Sequence, residues 1–384
     1  MRSDPSLHAG LFGQVYQGRR VLVTGHTGFK GSWLVYWLRR LGAQVHTLAL
    51  PAQTRPSHHQ ELTRVLRDAP GALPELAALG GERLLDLNDA EAVRHAVLAA
   101  QPEFVFHLAA QALVRHSYQD PAGTFATNVM GLVNVLEAVR ACPIVRVVLN
   151  VTTDKCYENI DTDVAYVEGC KLGGHDPYSA SKACAELVTA SYRASFLGLN
   201  DRPGGVVALA TARAGNVIGG GDWSADRLVP DLMRAAAQGQ VVPIRNPNAT
   251  RPWQHVLEPL AAYLHLAHRL WMDPVAHAGA WNFGPDADGH LSVGDMVERF
   301  ANAWPAVRVE ADTQPQPHEA RLLHLDCSHA HQHLNWRPVW GTDAMVQATT
   351  QWYRRWYEAG EVLTPQQLDA FVRDAARAGL EWAA

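Results

Sequence analysis

Tyr178 and Lys182 are four residues apart, a spacing that places two side chains on the same face of a helix. An ammonium group near a phenol lowers the pKa of the phenol, and the resulting phenolate can remove the proton of an alcohol. Thr153, in a polar segment upstream, can hydrogen-bond the same alcohol. These residues therefore predict an alcohol oxidation, in which the proton goes to Tyr178 and a hydride goes to a cofactor.

Lysine is rare in this chain, with four among 33 lysine and arginine residues. Lys155 and Lys182 belong to the polar cluster around Tyr178. Of the other two, Lys30 lies in a glycine loop and Lys171 has no predicted role. An ammonium group can lose its proton and acts as a compact charge, whereas a guanidinium does neither. Lysine is therefore expected where the chemistry needs an amine.

The glycine loop reads GHTGFKG from residue 25 to residue 31, between an apolar run and a helical pattern. Gly25 permits a tight turn, Gly28 lets the backbone approach a pyrophosphate, and Gly31 lets helix and strand pack closely. The N-terminus of the helix then faces the phosphate charge. The spacing predicts a dinucleotide site. The expected contacts are Gly25, Thr27, Gly28, Phe29, Gly31, Asp86, Leu87, Ala109, Ala110, Tyr178 and Lys182.

The second strand does not end in the acidic residue that usually binds the adenosine ribose of NAD. Residues 48–55 read LALPAQTR, without a carboxylate. Arg55 would suit the 2′-phosphate of NADP, or it is an ordinary loop residue. Asp86 and Leu87 are placed to meet the adenine, or they form a plain surface turn. These residues leave the choice between NAD and NADP open.

The strands and helices that must position these residues are predicted from apolar β-branched runs that alternate with helical patterns along the chain. Strands are predicted over 19–24, 45–50, 83–85, 104–106, 145–151 and 206–211. Helices are predicted over about 30–41, 90–100, 123–140 and 177–198. This alternation predicts an α/β fold with a doubly wound parallel sheet of the Rossmann type.

Loop-rich polar and aromatic segments replace this alternation after about residue 215. We interpret them as a smaller, mainly C-terminal substrate-binding lobe. The predicted division assigns residues 17–215 plus about 252–275 to the dinucleotide-binding domain. Residues 216–251 plus 276–384 form the lobe.

The bulk composition excludes several classes of protein. A net charge of −5 argues against nucleic acid or an anionic membrane as the main partner. The first 20 residues lack a signal-peptide core and no apolar run approaches membrane-spanning length, which predicts a cytoplasmic protein. The five cysteines form no CxxC pair and are expected to be free thiols. The two-residue spacing of His329, His331 and His333 favours a solvated helix face, and no metal site is predicted.

Residues 19 to 358 resemble the extended short-chain dehydrogenase/reductase family. The motifs are HLAAQALVRHSYQDP from residue 107, TNVMG from 127, DPYSASKACAELVTASYR from 176, RAGNVIGGGDW from 213 and RPWQHVLEP from 251. Within this family, TDKCYEN at 153–159, PHEA at 317–320 and LDCS at 325–328 are similar to the CDP-glucose 4,6-dehydratases. Related dTDP-glucose dehydratases carry a glutamate where this chain has Lys155. VAYVEGCK at 164–171 departs from the acidic and polar stretch that is more usual there.

The resemblance implies an NAD-dependent homo-oligomer that dehydrates CDP-glucose in the synthesis of deoxy sugars for bacterial surface polysaccharide. Tyr178 would take the proton of the sugar 4-hydroxyl, with Thr153 and Lys182 as its partners. Asp154 would protonate the departing 6-hydroxyl, while Lys155 either takes the C5 proton or stabilises the enolate. The implied substrate contacts, for which ordinary loop roles fit as well, are Asn216, Arg251, Asn282, His318 and Glu319.

Three alternatives remain open from the residues. A nucleotide-sugar epimerase or reductase would share the glycine loop and the Tyr178–Lys182 pair, but it would not need Asp154 and Lys155. A 4,6-dehydratase for another nucleotide sugar would share all of them. A non-catalytic NAD(P)-sensing protein would keep the loop and tolerate loss of Tyr178 or Lys182.

Overall fold

The structure is a computed structural model that describes residues 5–68, 81–162, 164–198, 204–312 and 322–384. Its described strands are β1 (Arg20–Thr24), β2 (Gln44–Ala49), β3 (Glu82–Leu84), β4 (Phe104–His107), β5 (Val147–Val151), β6 (Ala208–Ala214), β7 (Asn216–Ile218), β8 (Val242–Ile244), β9 (Thr250–His255), β10 (Gly279–Phe283), β11 (His290–Ser292) and β12 (Val309–Ala311).

The described helices alternate with these strands. They are α1 (Phe29–Arg40), α2 (His58–Asp68), α3 (Ala90–Ala100), α4 (Val114–Gln119), α5 (Pro121–Phe125), α6 (Gly131–Ala141), α7 (Pro177–Tyr192), α8 (Leu228–Gln238), α9 (Leu257–Met272), α10 (Pro274–His277), α11 (Val293–Ala303), α12 (Ser328–His333), α13 (Thr342–Ala359) and α14 (Thr364–Arg377). Short π-helical segments continue α5 into α6 and extend α7 to Leu197.

Seven strands form one parallel sheet in the order β10-β6-β5-β4-β1-β2-β3. From β1 the chain moves outward to β3, and it resumes on the other side of β1 at β4. The carboxyl ends of β1 and β4 therefore border the crevice in which doubly wound sheets bind ligands. The prediction of a doubly wound parallel sheet is confirmed.

Both faces of the sheet are covered, which explains why its strands are apolar without a polar face. Val21 and Val23 of β1 pack in one core cluster with α1 and α9. Leu22, which points to the opposite face, packs in a second cluster with α3 and α6. Strand β6 extends beyond the predicted end at residue 211, because β10 pairs with it as far as Ala214.

The helical stretch Pro121–Ala141 is long and apolar enough, by length and composition alone, to cross a membrane. The expectation that no apolar run approaches this length is therefore wrong. Leu132, Val135, Leu136 and Val139 of this stretch are buried in the cluster beneath the sheet. Packing in the core thus accounts for these four apolar residues of the stretch.

The smaller sheets come from the part of the chain that follows β6. Strands β11, β9 and β7 form a three-stranded sheet, and β12 pairs with β8. Strand β10 lies within the predicted lobe by sequence, yet it is the edge strand of the large sheet. That strand belongs to the Rossmann sheet because it pairs along its whole length with β6. The rest of the predicted domain division stays a prediction.

Candidate active site

The segment Thr153-Asp154-Lys155 leaves the carboxyl end of β5, whose five residues are all buried. Thr153 begins a short 3-10 helix that runs from Asp154 to Cys156. Its hydroxyl accepts a hydrogen bond from the Lys155 amide at 3.4 Å and donates to Asp154 Oδ1 at 3.0 Å. A buried apolar strand thus ends in a rigid polar turn at the mouth of the crevice.

Helix α7 brings Tyr178 and Lys182 to this turn. Asp176 caps the helix by accepting from the Ser179 amide at 2.9 Å. Both Tyr178 and Lys182 are buried. Lys182 Nζ donates to the carbonyl of Val151, the last residue of β5, at 3.2 Å. The helix face predicted from the four-residue spacing therefore points at the carboxyl end of β5.

Burial sets the protonation of this pair. It raises the pKa of Tyr178 to about 12, while a hydrogen bond with Thr153 and the charge of Arg227 act in the opposite direction. Burial lowers the pKa of Lys182 to about 8. At neutral pH the phenol holds its proton in the unliganded protein, so additional positive charge is needed before Tyr178 can act as a base.

Asp154 and Lys155 form an adjacent acid and amine. Asp154 is fully buried, and its Oδ1 lies 3.4 Å from Lys155 Nζ. The other carboxylate oxygen, Oδ2, has no hydrogen-bond partner among the described residues. Lys155 Nζ also donates to Asn216 Oδ1 at 3.4 Å, so Asn216 belongs to the same cluster. A buried carboxylate oxygen without a partner is suited to exchange a proton with a ligand.

The glycine loop has the shape of a pyrophosphate cradle. Gly25 has φ +80°, and a Cβ atom there would lie 2.7 Å from the Ala109 amide nitrogen. At Gly31 a Cβ atom would lie 2.1 Å from the Gly25 carbonyl oxygen. Gly28 begins α1 without a side-chain cap, which leaves the first-turn N–H groups for a phosphate. These residues fit a dinucleotide.

Other predicted cofactor contacts line the same edge of the sheet. Thr27 Oγ1 donates to the Leu50 carbonyl at 2.8 Å, and Phe29 is the first residue of α1. The Ala109 amide, next to Ala110, donates to Thr24 Oγ1 at 3.1 Å. Their contacts with a cofactor stay predictions.

The predicted adenine contacts follow β3. Asp86 is exposed, and its Oδ1 accepts from the backbone and side chain of Asn88. Leu87 is buried, and its carbonyl accepts from the Asn134 amide at 2.7 Å. Asp86 is therefore part of a hydrogen-bonded turn at the surface.

Two predicted substrate contacts, Arg251 and Asn282, are buried within strands. Arg251 lies in β9 and donates to the Thr250 carbonyl at 2.9 Å. Asn282 is fully buried in β10, where its amide donates to the Tyr166 and Asp326 carbonyls and its Oδ1 accepts from the Tyr157 hydroxyl. These bonds place Asn282 in a structural network.

The other two predicted substrate contacts, His318 and Glu319, lie outside the described residues.

Two cations near the cluster were not predicted. Arg227 is close enough to Tyr178 to affect its pKa, and it donates to Asp222 Oδ2 at 3.0 Å. Lys30 interacts electrostatically with Arg227, Lys182, Asp154 and Lys155. The scarcity of lysine was the one sequence signal for Lys30. For Arg227 the sequence held no comparable signal.

Within the described chain, one group of side chains has the spacing to hold a metal ion. The ligand atoms of His26, His59 and Glu82 lie within 4.8 Å of one another. Glu82 Oε1 lies 2.8 Å from His26 Nε2 and 3.4 Å from His59 Nε2. One carboxylate oxygen that accepts from two imidazoles explains these contacts without an ion. The predicted absence of a metal stays a prediction.

The histidines at 329–333 lie on helix α12. The His329 ring stacks on Trp281 with centroids 4.0 Å apart, and the His331 ring lies 6.2 Å from that of Trp336. Two of the three histidines therefore pack against the protein rather than facing solvent alone.

The parallel sheet, the glycine loop at its switch point and the buried Tyr–Lys pair define an extended short-chain dehydrogenase/reductase. A family model described as GDP-mannose 4,6 dehydratase matches residues 22–349. The chain belongs to this family.

Similar proteins include 4,6-dehydratases that are named for sugars of three different nucleotides. The CDP-glucose 4,6-dehydratase of Salmonella typhimurium is 44% identical over 91% of this chain and 94% of its own. The dTDP-glucose 4,6-dehydratase of Streptomyces antibioticus is 28% identical over 88% of this chain and 94% of its own. A trifunctional UDP-glucose 4,6-dehydratase, epimerase and reductase of Arabidopsis thaliana is 28% identical over 60% of this chain and 32% of its own.

Solved structures show the same fold. The UDP-glucose 4-epimerase of Thermus thermophilus in complex with NAD has a TM-score of 0.71 and 25% identity, covering 87% of this chain and 99% of its own. The dTDP-glucose 4,6-dehydratase of Bacillus anthracis in complex with NAD has a TM-score of 0.69 and 20% identity, covering 88% of this chain and 98% of its own.

Proposed function

We propose that this chain is an NAD-dependent CDP-glucose 4,6-dehydratase, which converts CDP-glucose to CDP-4-dehydro-6-deoxyglucose and water. The observation that carries the proposal is the pair Asp154 and Lys155 beside Tyr178, in a chain 44% identical to the Salmonella typhimurium CDP-glucose 4,6-dehydratase. An enzyme that only oxidised C4 would need Tyr178 as its base and no further acid or base. The loss of water needs a further acid and a further base, and an adjacent carboxyl group and amine supply them.

When bound, NAD would supply the hydride acceptor for C4 of the sugar and the hydride donor for C6. The glycine loop and the free N–H groups of α1 would hold its pyrophosphate. Tyr178 takes the proton of the 4-hydroxyl, and Thr153 holds that hydroxyl by a hydrogen bond. Lys182, fixed to the end of β5, contributes positive charge that stabilises the phenolate.

Elimination follows because the new 4-ketone makes the C5 hydrogen acidic. An amine removes the C5 proton, and the resulting enolate expels the 6-hydroxyl. Asp154 protonates that hydroxyl through the oxygen that has no partner, so that it leaves as water. The proton that Tyr178 gained balances the one that Asp154 lost.

Mass spectrometry of CDP-glucose incubated with the enzyme and NAD tests the proposed function. We expect the loss of one water without net formation of NADH, and faster conversion of CDP-glucose than of dTDP-, UDP- or GDP-glucose. An unchanged mass with a changed proton NMR spectrum would instead indicate an epimerase. Preference for another nucleotide would contradict the assignment of CDP. Lys171→Met serves as the control, since Lys171 is exposed and forms an ion pair with Glu158 at the surface.

We further propose that the enzyme is a cytoplasmic homo-oligomer in the synthesis of deoxy sugars for bacterial surface polysaccharide, such as the O-antigen of lipopolysaccharide. The free thiols of the five cysteines are consistent with a reducing compartment. The exposed apolar side chains Phe125, Met130 and Leu187, on two helices that pack against each other, support contact with a second copy.

A further inference from the structure

A buried ion pair joins strand β6 to helix α7, which also carries the Tyr178–Lys182 pair. On α7, Glu186 follows Lys182 by one helical turn, as Lys182 follows Tyr178, so the three side chains share a face. On β6, Arg213 is two residues from Thr211, and both side chains point to the same side of the sheet. Arg213 Nη2 donates to Glu186 Oε2 at 2.7 Å, and both side chains are 3% exposed. Helix and strand are thereby fixed to each other.

The ion pair is connected to both ends of the polar turn at residues 153–156. At the start of the turn, the Thr152 hydroxyl donates to Glu186 Oε1. At its end, the Tyr157 hydroxyl accepts from Arg213 Nη1 at 2.8 Å. The guanidinium carbon of Arg213 also lies 4.9 Å from the centre of the Tyr157 ring. We refer to these four side chains, which enclose the turn, as the clamp.

A second route leads from Arg213 to the end of the same turn. Its Nη1 atom also donates to the carbonyl of Glu168 at 3.0 Å. The chain that follows Glu168 returns to the turn, where Leu172 forms a β-bridge with Tyr157. One guanidinium group therefore holds the end of the turn both directly and through the neighbouring segment.

The bonds that hold Lys155 within the turn are longer than those of the clamp. The Lys155 amide lies 3.4 Å from Thr153 Oγ1. The Lys155 amine lies 3.4 Å from Asp154 Oδ1 and 3.4 Å from Asn216 Oδ1. Hydrogen bonds of this kind are usually about 2.7–3.2 Å long, so these contacts are weak. The position of Lys155 therefore depends on the bonds that hold the turn from outside.

Stability alone does not explain the buried ion pair of the clamp. Removing two charges from water costs about as much free energy as their attraction returns, so well-packed apolar residues often stabilise a protein equally well. An ion pair with arginine instead specifies geometry, because the planar guanidinium group donates in fixed directions. This property suits a reaction step that needs an acid and an amine at adjacent carbon atoms at the same time.

We infer that Arg213 and Tyr157 are positioning residues, which hold the turn with its acid and amine in register with helix α7 for the elimination step. The inference rests on the proposed function, since it concerns one step of that reaction. Neither residue exchanges a proton in this step, and each acts through the turn. A displacement of about 1 Å can slow a reaction by about 10²-fold, so the register matters for the rate.

Tyr157→Phe should affect the two ends of the turn unequally. The start of the turn stays in the sheet, because the Thr152 amide donates to the Ala212 carbonyl at 2.9 Å. The end loses the hydroxyl that Arg213 holds, so Lys155 gains freedom to move. The oxidation of C4 should therefore proceed at the wild-type rate, while the elimination of water slows.

Stopped-flow absorbance of NADH separates these steps in a single turnover of the NAD-loaded enzyme with CDP-glucose. NADH appears when C4 is oxidised and disappears when C6 is reduced, which requires that water has left. We expect Tyr157→Phe to form NADH at the wild-type rate and to consume it about 10- to 10²-fold more slowly. Mass spectrometry of quenched samples should show accumulation of the 4-dehydro sugar that keeps its 6-hydroxyl.

Tyr166→Phe is the matched control. The Tyr166 ring stacks on that of Tyr157 with centroids 5.1 Å apart, but its hydroxyl bonds with Asn159 and Ile160 instead of the clamp. Both steps should keep their wild-type rates in this variant. Equal slowing of both steps in Tyr157→Phe, or an unchanged ratio of the two rates, would overturn the inference. Accumulation of the dehydrated 5,6-alkene would place the defect at hydride return and would likewise overturn it.

Hydrogen–deuterium exchange tests the clamp without any substrate. Peptides that cover residues 152–157 should exchange faster in Tyr157→Phe than in the wild type, while peptides from β4 should not change. Tyr166→Phe should exchange like the wild type in both regions. A wild-type enzyme that dehydrates no nucleotide sugar contradicts the proposed function, whereas unchanged exchange at residues 152–157 in Tyr157→Phe contradicts this inference alone. The two failures are therefore distinguishable.

Discussion

Buried charged groups that lack some of their hydrogen-bond or ion-pair partners are concentrated at the proposed active site. Asp154 is fully buried with one partnerless oxygen, whereas the equally buried Glu186 is paired with Arg213 at 2.7 Å. Glu186 Oε2 also accepts from Thr211 at 2.8 Å. Burying a carboxylate oxygen without a partner is costly, so the protein tolerates it only where that oxygen has a use. This contrast distinguishes a structural acid from the proposed catalytic one.

Tyr178→Phe tests the proposed base at the scale of a single residue. The substitution removes the hydroxyl but keeps the buried ring, so the fold and substrate binding should change little. We expect the reduction of NAD in a single turnover to slow by about 10²- to 10⁴-fold, as measured by absorbance at 340 nm. Tyr118→Phe, at an exposed tyrosine, is the control. Reduction at the wild-type rate would exclude Tyr178 as the base.

The individual residues of the site differ in how far the sequence predicts them. Tyr178 and Lys182 are one helical turn apart, and Thr153 to Lys155 are consecutive, so local geometry is enough to group them. Lys30 joins them only through the packing of β1 and α1 on the sheet. The hydrogen-bond partners of Asn282, a predicted substrate contact, come from distant parts of the chain that no local pattern identifies.

At the scale of elements, the βαβ unit depends on close contact between the glycine loop and α1. Most of the strands and helices from β1 to β6 could be predicted from apolar runs or amphipathic patterns, whereas α2 and α4 were not predicted. The short strands β7, β8, β11 and β12 could not. Each has three residues, and its pairing depends on partners far away in the chain.

Gly31→Ala tests the contact between the glycine loop and α1. The added Cβ would lie 2.1 Å from the Gly25 carbonyl oxygen, so the backbone that approaches the pyrophosphate must shift. We expect a loss of about 1–3 kcal/mol in unfolding free energy, as in overpacked cores, and at least tenfold weaker NAD binding by calorimetry. Gly169→Ala is the matched control, because a Cβ atom there would meet nothing within 4 Å. Wild-type NAD affinity in Gly31→Ala would refute the proposed cradle.

At the scale of the whole molecule, α7 and the Pro121–Ala141 stretch leave large apolar side chains exposed. Met130 is 53% exposed and Leu187 is 59% exposed, on helices that pack together on one side of the sheet. In a symmetric dimer a residue near the axis faces its own copy, so one substitution places two charges against each other. This doubling makes the surface sensitive to a single change.

If this surface forms the contact of the proposed homo-oligomer, as in a dimer, Leu187→Glu should shift the enzyme toward monomer. We expect the molar mass from light scattering during size-exclusion chromatography to fall by about half at micromolar concentration, because an apolar contact is replaced by two like charges. Val275→Glu, on the short helix α10, is the control, since Val275 is 81% exposed and lies outside this surface. Circular dichroism should show that both variants remain folded. A wild-type protein that is monomeric, or a Leu187→Glu variant that keeps the wild-type mass, would rule out this surface as the interface.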